Sequence, residues 1–136
     1  MAKIFLIFFL LTFSLSAELI KTAEIRLKKD QQEKILVSGD GFRKLLVMRW
    51  TLYVNSGLVY LQTFNKEVSH HVLYLERRNH SVRIELMSRS AIYGAVPYLL
   101  VIFKAFDFEK NEAVFNLYLS DKEEKVSLKY LSREEE

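Results

Sequence analysis

The sequence has no cysteine, and only one proline and four glycines among its 136 residues. Without cysteine the protein can form no disulfide, although an exported protein could use one. It also has no thiol nucleophile, no sulfur ligand for a metal, and no N-terminal thiol to which a lipid could be attached. Stability must therefore come from an apolar core, and hydrophobic residues make up 50% of the chain.

Motifs that carry common enzyme chemistries are also missing. The chain has no Gly-x-Ser-x-Gly nucleophile elbow, no His-Glu-x-x-His pair and no glycine pattern for dinucleotide binding. The glycine-rich turn at residues 39–41 lacks the Gly-Lys-Ser/Thr ending of a phosphate-binding loop. His70 and His71 cannot share a metal from a regular strand, because adjacent strand residues point to opposite faces. We therefore expect no enzyme activity, no cofactor and no metal site.

The N-terminus has the pattern of a secretory signal peptide. Lys3 supplies a positive charge, residues 4–13 are almost continuously apolar, and small residues follow. This apolar run is shorter than the ~20 residues that a membrane-spanning helix needs. We expect residues 1–17 to be a signal peptide that is cleaved after Ala17 or Ser16, which predicts a periplasmic or secreted protein.

Charge is distributed unevenly along the remaining chain, which we divide into one β-rich domain, residues 18–131, and an acidic tail, residues 132–136. Residues 42–90 contain eight Lys and Arg against three acidic residues, whereas residues 107–136 contain nine acidic residues against five basic ones. Because an exported protein rarely meets nucleic acid, we expect no such partner despite the pI near 9.1. The basic middle fits attraction to the acidic half, or peripheral contact with an anionic membrane surface.

Alternating apolar and polar residues predict short β-strands along most of the domain. Turn residues separate them at intervals of about 8–12 positions, which is typical of all-β folds. We therefore predict an all-β fold, mainly an antiparallel meander of about eight strands that forms a small barrel, a sandwich or a strongly bent sheet. The predicted strands cover residues 23–28, 34–38, 42–54, 58–64, 68–76, 81–87, 99–108, 113–119 and 125–131.

The strand predicted at residues 42–54 has the strongest period-two pattern. Arg49 and Tyr53 fall on its less apolar face. An arginine that faces the interior of a sheet needs an acidic partner or an anionic ligand, because a lone buried charge is very costly. The alternative is that Arg49 lies on the solvated face. Simple alternation places the following residues on the apolar face: Leu46, Met48, Trp50, Leu52 and Val54.

A long uncharged run covers residues 91–103. It contains Gly94 and Pro97, which exclude one continuous central strand because proline cannot donate to the ladder of hydrogen bonds. We predict a turn or short helix at residues 90–96, followed by a strand. The alternative is a helix that starts at Pro97, and either reading allows one short helix near residues 90–103.

Two functions lead, and they assign different roles to residues 91–103. In the first, a β-barrel or cupped sheet binds a lipid or another hydrophobic small molecule, with this run at its mouth or floor. In the second, the protein is a structural or interaction module of the cell envelope, and the run contacts a partner protein. The ligand-binding residues predicted from the sequence are Arg49, Trp50, Tyr53, Arg89, Tyr93, Tyr98 and Phe103.

Overall fold

A computed structural model describes residues 19–75, 79–88 and 95–131. The described chain is almost entirely β, as predicted, and all of its strands pair in an antiparallel manner. The predicted signal peptide and acidic tail lie outside the described residues. The strands are β1 (Ile20–Lys28), β2 (Glu33–Gly39), β3 (Phe42–Val54), β4 (Gly57–Phe64), β5 (Glu67–Tyr74), β6 (Ser81–Glu85), β7 (Tyr98–Asp107), β8 (Glu112–Ser120) and β9 (Val126–Tyr130).

The nine strands form two sheets, a four-stranded sheet in the order β1-β8-β7-β6 and a five-stranded sheet in the order β5-β4-β3-β2-β9. Strands β2 to β5 and strands β6 to β8 are consecutive neighbours, so the predicted meander is confirmed within each of these runs. The first and last strands depart from it, because β1 pairs with β8 and β9 pairs with β2. The described strands form a sandwich and no closed barrel.

The core lies between the two sheets, and aromatic side chains from both inner faces meet there. The rings of Tyr60 and Phe115 lie 5.8 Å apart, and the Trp50 ring meets Phe106 edge-on at 5.5 Å. The indole Nε1 of Trp50 donates a hydrogen bond to the Leu27 carbonyl oxygen at 2.7 Å. Buried tryptophans need such a partner for the ring N–H. Packing of apolar side chains, including these rings, and the buried hydrogen bond of Trp50 therefore hold the two sheets together.

A β-bulge in β3 reverses the alternation of inward and outward side chains halfway along the strand. The register with β4 shifts between Trp50 and Leu52, which makes Thr51 the extra residue. After the bulge Tyr53 packs against the core, whereas Leu52 and Val54 are exposed. The prediction that Leu52 and Val54 share the face of Trp50 is wrong, because the extra residue shifts the period of two.

The uncharged run contributes a central strand to the four-stranded sheet. Leu99, Val101 and Phe103 point into the core, and β7 pairs with β6 on one side and β8 on the other. The predicted strand is confirmed, and the alternative of a helix that starts at Pro97 is wrong. The Pro97 carbonyl oxygen accepts the N–H of Leu86 at 2.9 Å, which continues the pairing of the β6 and β7 segments by one residue. Residues 89–94, which include most of the predicted turn, lie outside the described residues.

Leu99→Ala should lower the free energy of unfolding by about 2–5 kcal/mol, because truncating a buried leucine leaves a cavity between the sheets. Leu100→Ala changes the same residue type one position along, on the half-buried outer face, and should cost less than about 1.5 kcal/mol. Urea unfolding followed by the fluorescence of Trp50, the only tryptophan, measures both changes. Equal losses would contradict the assigned faces of β7.

Candidate functional site

Two of the predicted ligand-binding residues, Trp50 and Phe103, lie in the packed core. Each is only 2% exposed. A ligand could reach the Phe103 ring only by displacing core neighbours, whereas the Trp50 ring, which is held by its hydrogen bond to Leu27, borders the notch described below. Two further predicted residues, Arg89 and Tyr93, lie outside the described residues. The ligand-binding role of these four stays a prediction.

Tyr98 lies on the outer face of the four-stranded sheet, beneath Arg83 of β6. The guanidinium carbon stands 3.7 Å from the centroid of the tyrosine ring, which is a cation–π contact. The same face contains an ion pair in which Lys104 Nζ lies 3.0 Å from Glu24 Oε1. The hydrogen bond and charge of Lys104 lower the pKa of the Glu24 carboxyl. Charges of both signs, in contact with one another or with a ring, thus cover this outer face.

Tyr53 belongs to an aromatic cluster at one end of the sandwich. Its ring stacks on Phe106 at a centroid distance of 4.2 Å, with 10° between the planes. Phe108, in the turn after β7, contacts both rings and is 76% exposed. With Lys29 and Trp50 these rings line a notch of about 310 Å³, which we call the aromatic notch. This volume is at the lower end of the ~300–1,000 Å³ typical of ligand pockets.

Arg49 lies on the outer face of the five-stranded sheet, opposite Leu61 of β4. The sequence prediction that Arg49 and Tyr53 share a face is wrong, because the bulge at Thr51 lies between them. Arg49 is half-buried beside a shallow groove of about 260 Å³. Within the part of the chain that the structure describes, it forms no ion pair. This placement matches the alternative that Arg49 lies on the solvated face.

Around Arg49, the outer face of the five-stranded sheet is largely aliphatic across β3, β4 and β5. The registers place Val72 beside Val59, and Val59 beside Leu52, in one row across the three strands. Most of the exposed large hydrophobic side chains in the described residues belong to this region. We call it the apolar patch, and its members are Leu45, Val47, Leu52, Val54, Val59, Leu61, Val68 and Val72.

Cationic side chains border the apolar patch on the side of β2 and β9. The registers place Lys34 beside Val47, and Lys129 beside Leu36. The acidic residues of these five strands are Glu33 and Glu67. Both occupy positions whose side chains lie on the inner side of the sheet. Among the residues of these five strands, the charged side chains on the outer face are therefore all basic. The cationic flank consists of Lys34, Arg43 and Lys129, and Arg49 lies within the patch.

This surface was not among the sites predicted from the sequence, which placed the contact surface at residues 91–103. A signal was present, because β3 and β4 have apolar residues at both phases of the alternation, as Met48 and Val47 illustrate. Which of two apolar faces becomes the core depends on how the sheets stack. The bulge at Thr51 then moves Leu52 and Val54 to the exposed side, and nothing in the local pattern predicts that shift.

In the described residues, no group of three or more His, Asp or Glu side chains could hold a metal ion. None of the described segments is a helix long and apolar enough to cross a membrane. No known protein family, curated protein or solved structure matches the chain. Function must therefore be inferred from geometry, and the candidate sites are the outer face of the five-stranded sheet and the aromatic notch.

Phe106→Ala should lower the free energy of unfolding by about 2–4 kcal/mol, because the ring packs on both Trp50 and Tyr53. Phe108→Ala removes the same side chain from an exposed turn and should change stability by less than about 0.5 kcal/mol. Chemical unfolding of the two variants measures the difference. A large loss for Phe108→Ala would mean that this ring is structural and unsuited to contacting a ligand.

Proposed function

We propose that the protein is an exported, non-enzymatic protein of the cell envelope that docks a partner protein through the outer face of the five-stranded sheet. The supporting observation is the apolar patch, which borders a cationic flank. Exposed apolar patches rimmed by polar residues usually mark interaction sites. The partner surface that fits is apolar, with acidic side chains opposite Arg43 and Arg49.

The energetics favour docking because the exposed aliphatic side chains are already ordered by the strands. Fully burying one Val or Leu stabilises by about 1.5–3 kcal/mol, so a side chain that is half exposed can contribute about 1 kcal/mol when a partner covers it. Five such side chains, including Val68 at 66% exposed, supply several kcal/mol before costs of association. The cationic flank adds orientation and faster encounter more than affinity.

A protein surface suits this face better than a lipid bilayer does. The apolar patch and the cationic flank lie side by side on one sheet. In a bilayer the hydrocarbon and the anionic headgroups lie at different depths. The apolar patch could contact the hydrocarbon while the cationic flank contacts the headgroups only if the sheet tilted. A protein partner can place apolar and acidic side chains side by side. Peripheral membrane contact is therefore an outcome that the experiment below distinguishes.

The aromatic notch supports a second candidate function, the binding of a small hydrophobic molecule. Trp50 and Tyr53, both predicted as ligand residues, line it together with Phe106 and Phe108, and Lys29 offers one cationic group. Such a mixture of rings and one charge suits a small apolar ligand with an anionic end. The site differs from the cavity expected from the sequence, because it lies at the end of the sandwich rather than between the sheets.

A photo-crosslinking residue in place of Leu45, on the outer face of β3, should form a discrete adduct with another envelope protein in cells of the source organism. Adding Arg43→Glu should reduce the yield by about tenfold, because it reverses one charge of the cationic flank. The matched control carries the same crosslinker in place of Arg26, which is exposed on the outer face of β1. It should give no such adduct.

Equal adducts from both faces would contradict the docking proposal. Crosslinks to lipid from position 45, together with sedimentation with vesicles that contain anionic lipid, would replace the protein partner with a membrane surface. An adduct of twice the mass of the chain would indicate self-association, which is considered below.

Native mass spectrometry of the protein purified from its own envelope tests export and the second function together. We expect a chain that begins at Glu18 or Ala17, because the signal peptide is removed. If the aromatic notch binds a ligand, a bound small molecule should accompany the chain and be lost in Phe108→Ala. A chain that retains residues 1–17 would argue against export with cleavage, and a bare chain would argue against ligand binding.

A further inference from the structure

Strand β5 is an edge of the five-stranded sheet, and it lacks the features that usually keep a free edge from pairing. Among the described residues it pairs only with β4, and that register runs without a bulge from Glu67 to Tyr74. Natural edge strands are protected by charged side chains, proline, bulges or short length. After Glu67, β5 contains no Asp, Glu, Lys or Arg, although it has histidines at positions 70 and 71. Two of its valines, Val68 and Val72, are 66% and 47% exposed.

The other three edges each have one of these protective features. Strands β6 and β9 are only five residues long, and both present charged side chains. Strand β1 has a bulge between Lys21 and Ala23. The edges of β1 and β9 are also bridged, because the hydroxyls of Thr22 and Tyr130 form a hydrogen bond of 2.7 Å. The protection is therefore missing at β5 alone among the described edges.

The turn before β5 determines which of its backbone groups are free. Asn65 and Lys66 have φ values of 51° and 69°, which is the geometry of a type I′ hairpin turn. The pair that flanks such a turn is hydrogen-bonded, and bonded pairs recur at every second position. Ladder bonds to β4 thus fall at residues 67, 69, 71 and 73. Tyr74 is an even-numbered position, so its N–H points away from β4. It donates to the Asn79 carbonyl oxygen at 2.9 Å instead.

It follows that the N–H and C=O groups of Val68, His70 and Val72 point away from β4, toward the open edge. The side chains of the same three residues face the outer side of the sheet, where the apolar patch begins. An extended strand laid along this edge would find both unpaired backbone groups and apolar side chains.

We propose that β5 pairs with β5 of a second copy of this chain, in antiparallel orientation about a two-fold axis at His70. In that register Val68 lies opposite Val72 of the second copy, and His70 lies opposite its own counterpart. The unpaired backbone groups of Val68, His70 and Val72 then all lie in hydrogen-bonded pairs. Each pair exchanges two bonds, so the three pairs give about six hydrogen bonds between the chains. The fit is self-complementary, as a two-fold interface requires, because the positions pair as 68 with 72, 70 with 70, and 72 with 68.

The apolar patch favours a second copy over an unrelated peptide. A two-fold axis perpendicular to the sheet keeps both outer faces on the same side, so the two patches join into one apolar area. The cationic flanks lie on the far side of each copy, away from the axis, and do not repel one another at close range. The contact is small, so we expect a dimer with a dissociation constant in the micromolar range.

Sedimentation velocity of the full chain, from low to high micromolar concentration, should show a monomer converting to a dimer. Val68→Lys places a charge on the edge and should weaken the dimer by about tenfold. The matched control is Thr63→Lys, because Thr63 lies directly opposite Val68 on the same face but one strand inside the edge. It should leave the dimer nearly unchanged.

Amide hydrogen exchange locates the contact by its alternation. The amides of Val68, His70 and Val72 should become protected as concentration rises, whereas those of Ser69 and His71 should be protected at every concentration by their bonds to β4. A chain that stays monomeric, or a dimer lost equally in Thr63→Lys, would overturn the proposal. Amide exchange of Val68, His70 and Val72 that does not depend on protein concentration would also overturn the proposal.

These outcomes are separate from those of the docking proposal. A monomeric chain could still crosslink a partner from position 45. A dimer could form in a protein whose apolar patch docks nothing else.

Discussion

The single extra residue at Thr51 determines what each part of β3 does. Before the bulge, the strand sends Trp50 into the core. After it, Tyr53 takes the inward position and stacks on Phe106, while Leu52 faces solvent. Bulges increase local twist and redirect side chains in this way. One strand thereby supplies the centre of the core, the wall of the aromatic notch and part of the apolar patch, and deleting Thr51 would exchange these roles.

A protein without cysteine must hold its two sheets together by packing. The order in which the strands are distributed between the sheets makes this packing slow to form. The chain crosses between the sheets after β1, β5 and β8, so each sheet contains strands that are distant in sequence. Such non-local pairings are slow to form and expose edges meanwhile. Across the gap, Tyr60 meets Phe115 and Trp50 meets Phe106, so this core forms only once both sheets are in place.

The strands could be predicted from the sequence because period-two alternation and turn residues are local signals. Residues 42–54 were predicted with the bounds that the structure has, and the strand after Pro97 was also predicted correctly. Three features could not be predicted: the pairing of β1 with β8, the bulge at Thr51, and the choice of outer face. The first and third depend on contacts between residues far apart in the chain, and the bulge interrupts the alternation without a residue in β3 that marks it.

The same limit explains why the candidate site lies elsewhere than expected. An uncharged run such as residues 91–103 is consistent with either core or contact surface, and the inward-facing residues of its described part, Leu99, Val101 and Phe103, belong to the core. The contact surface is instead assembled from β3, β4 and β5, none of which is conspicuous alone. In the proposed dimer, Val68 and Val72 would serve both the edge pairing and the apolar patch, so pairing would place two patches in one plane. A partner that engaged both would bind more tightly than two separate contacts, because the second contact would be intramolecular.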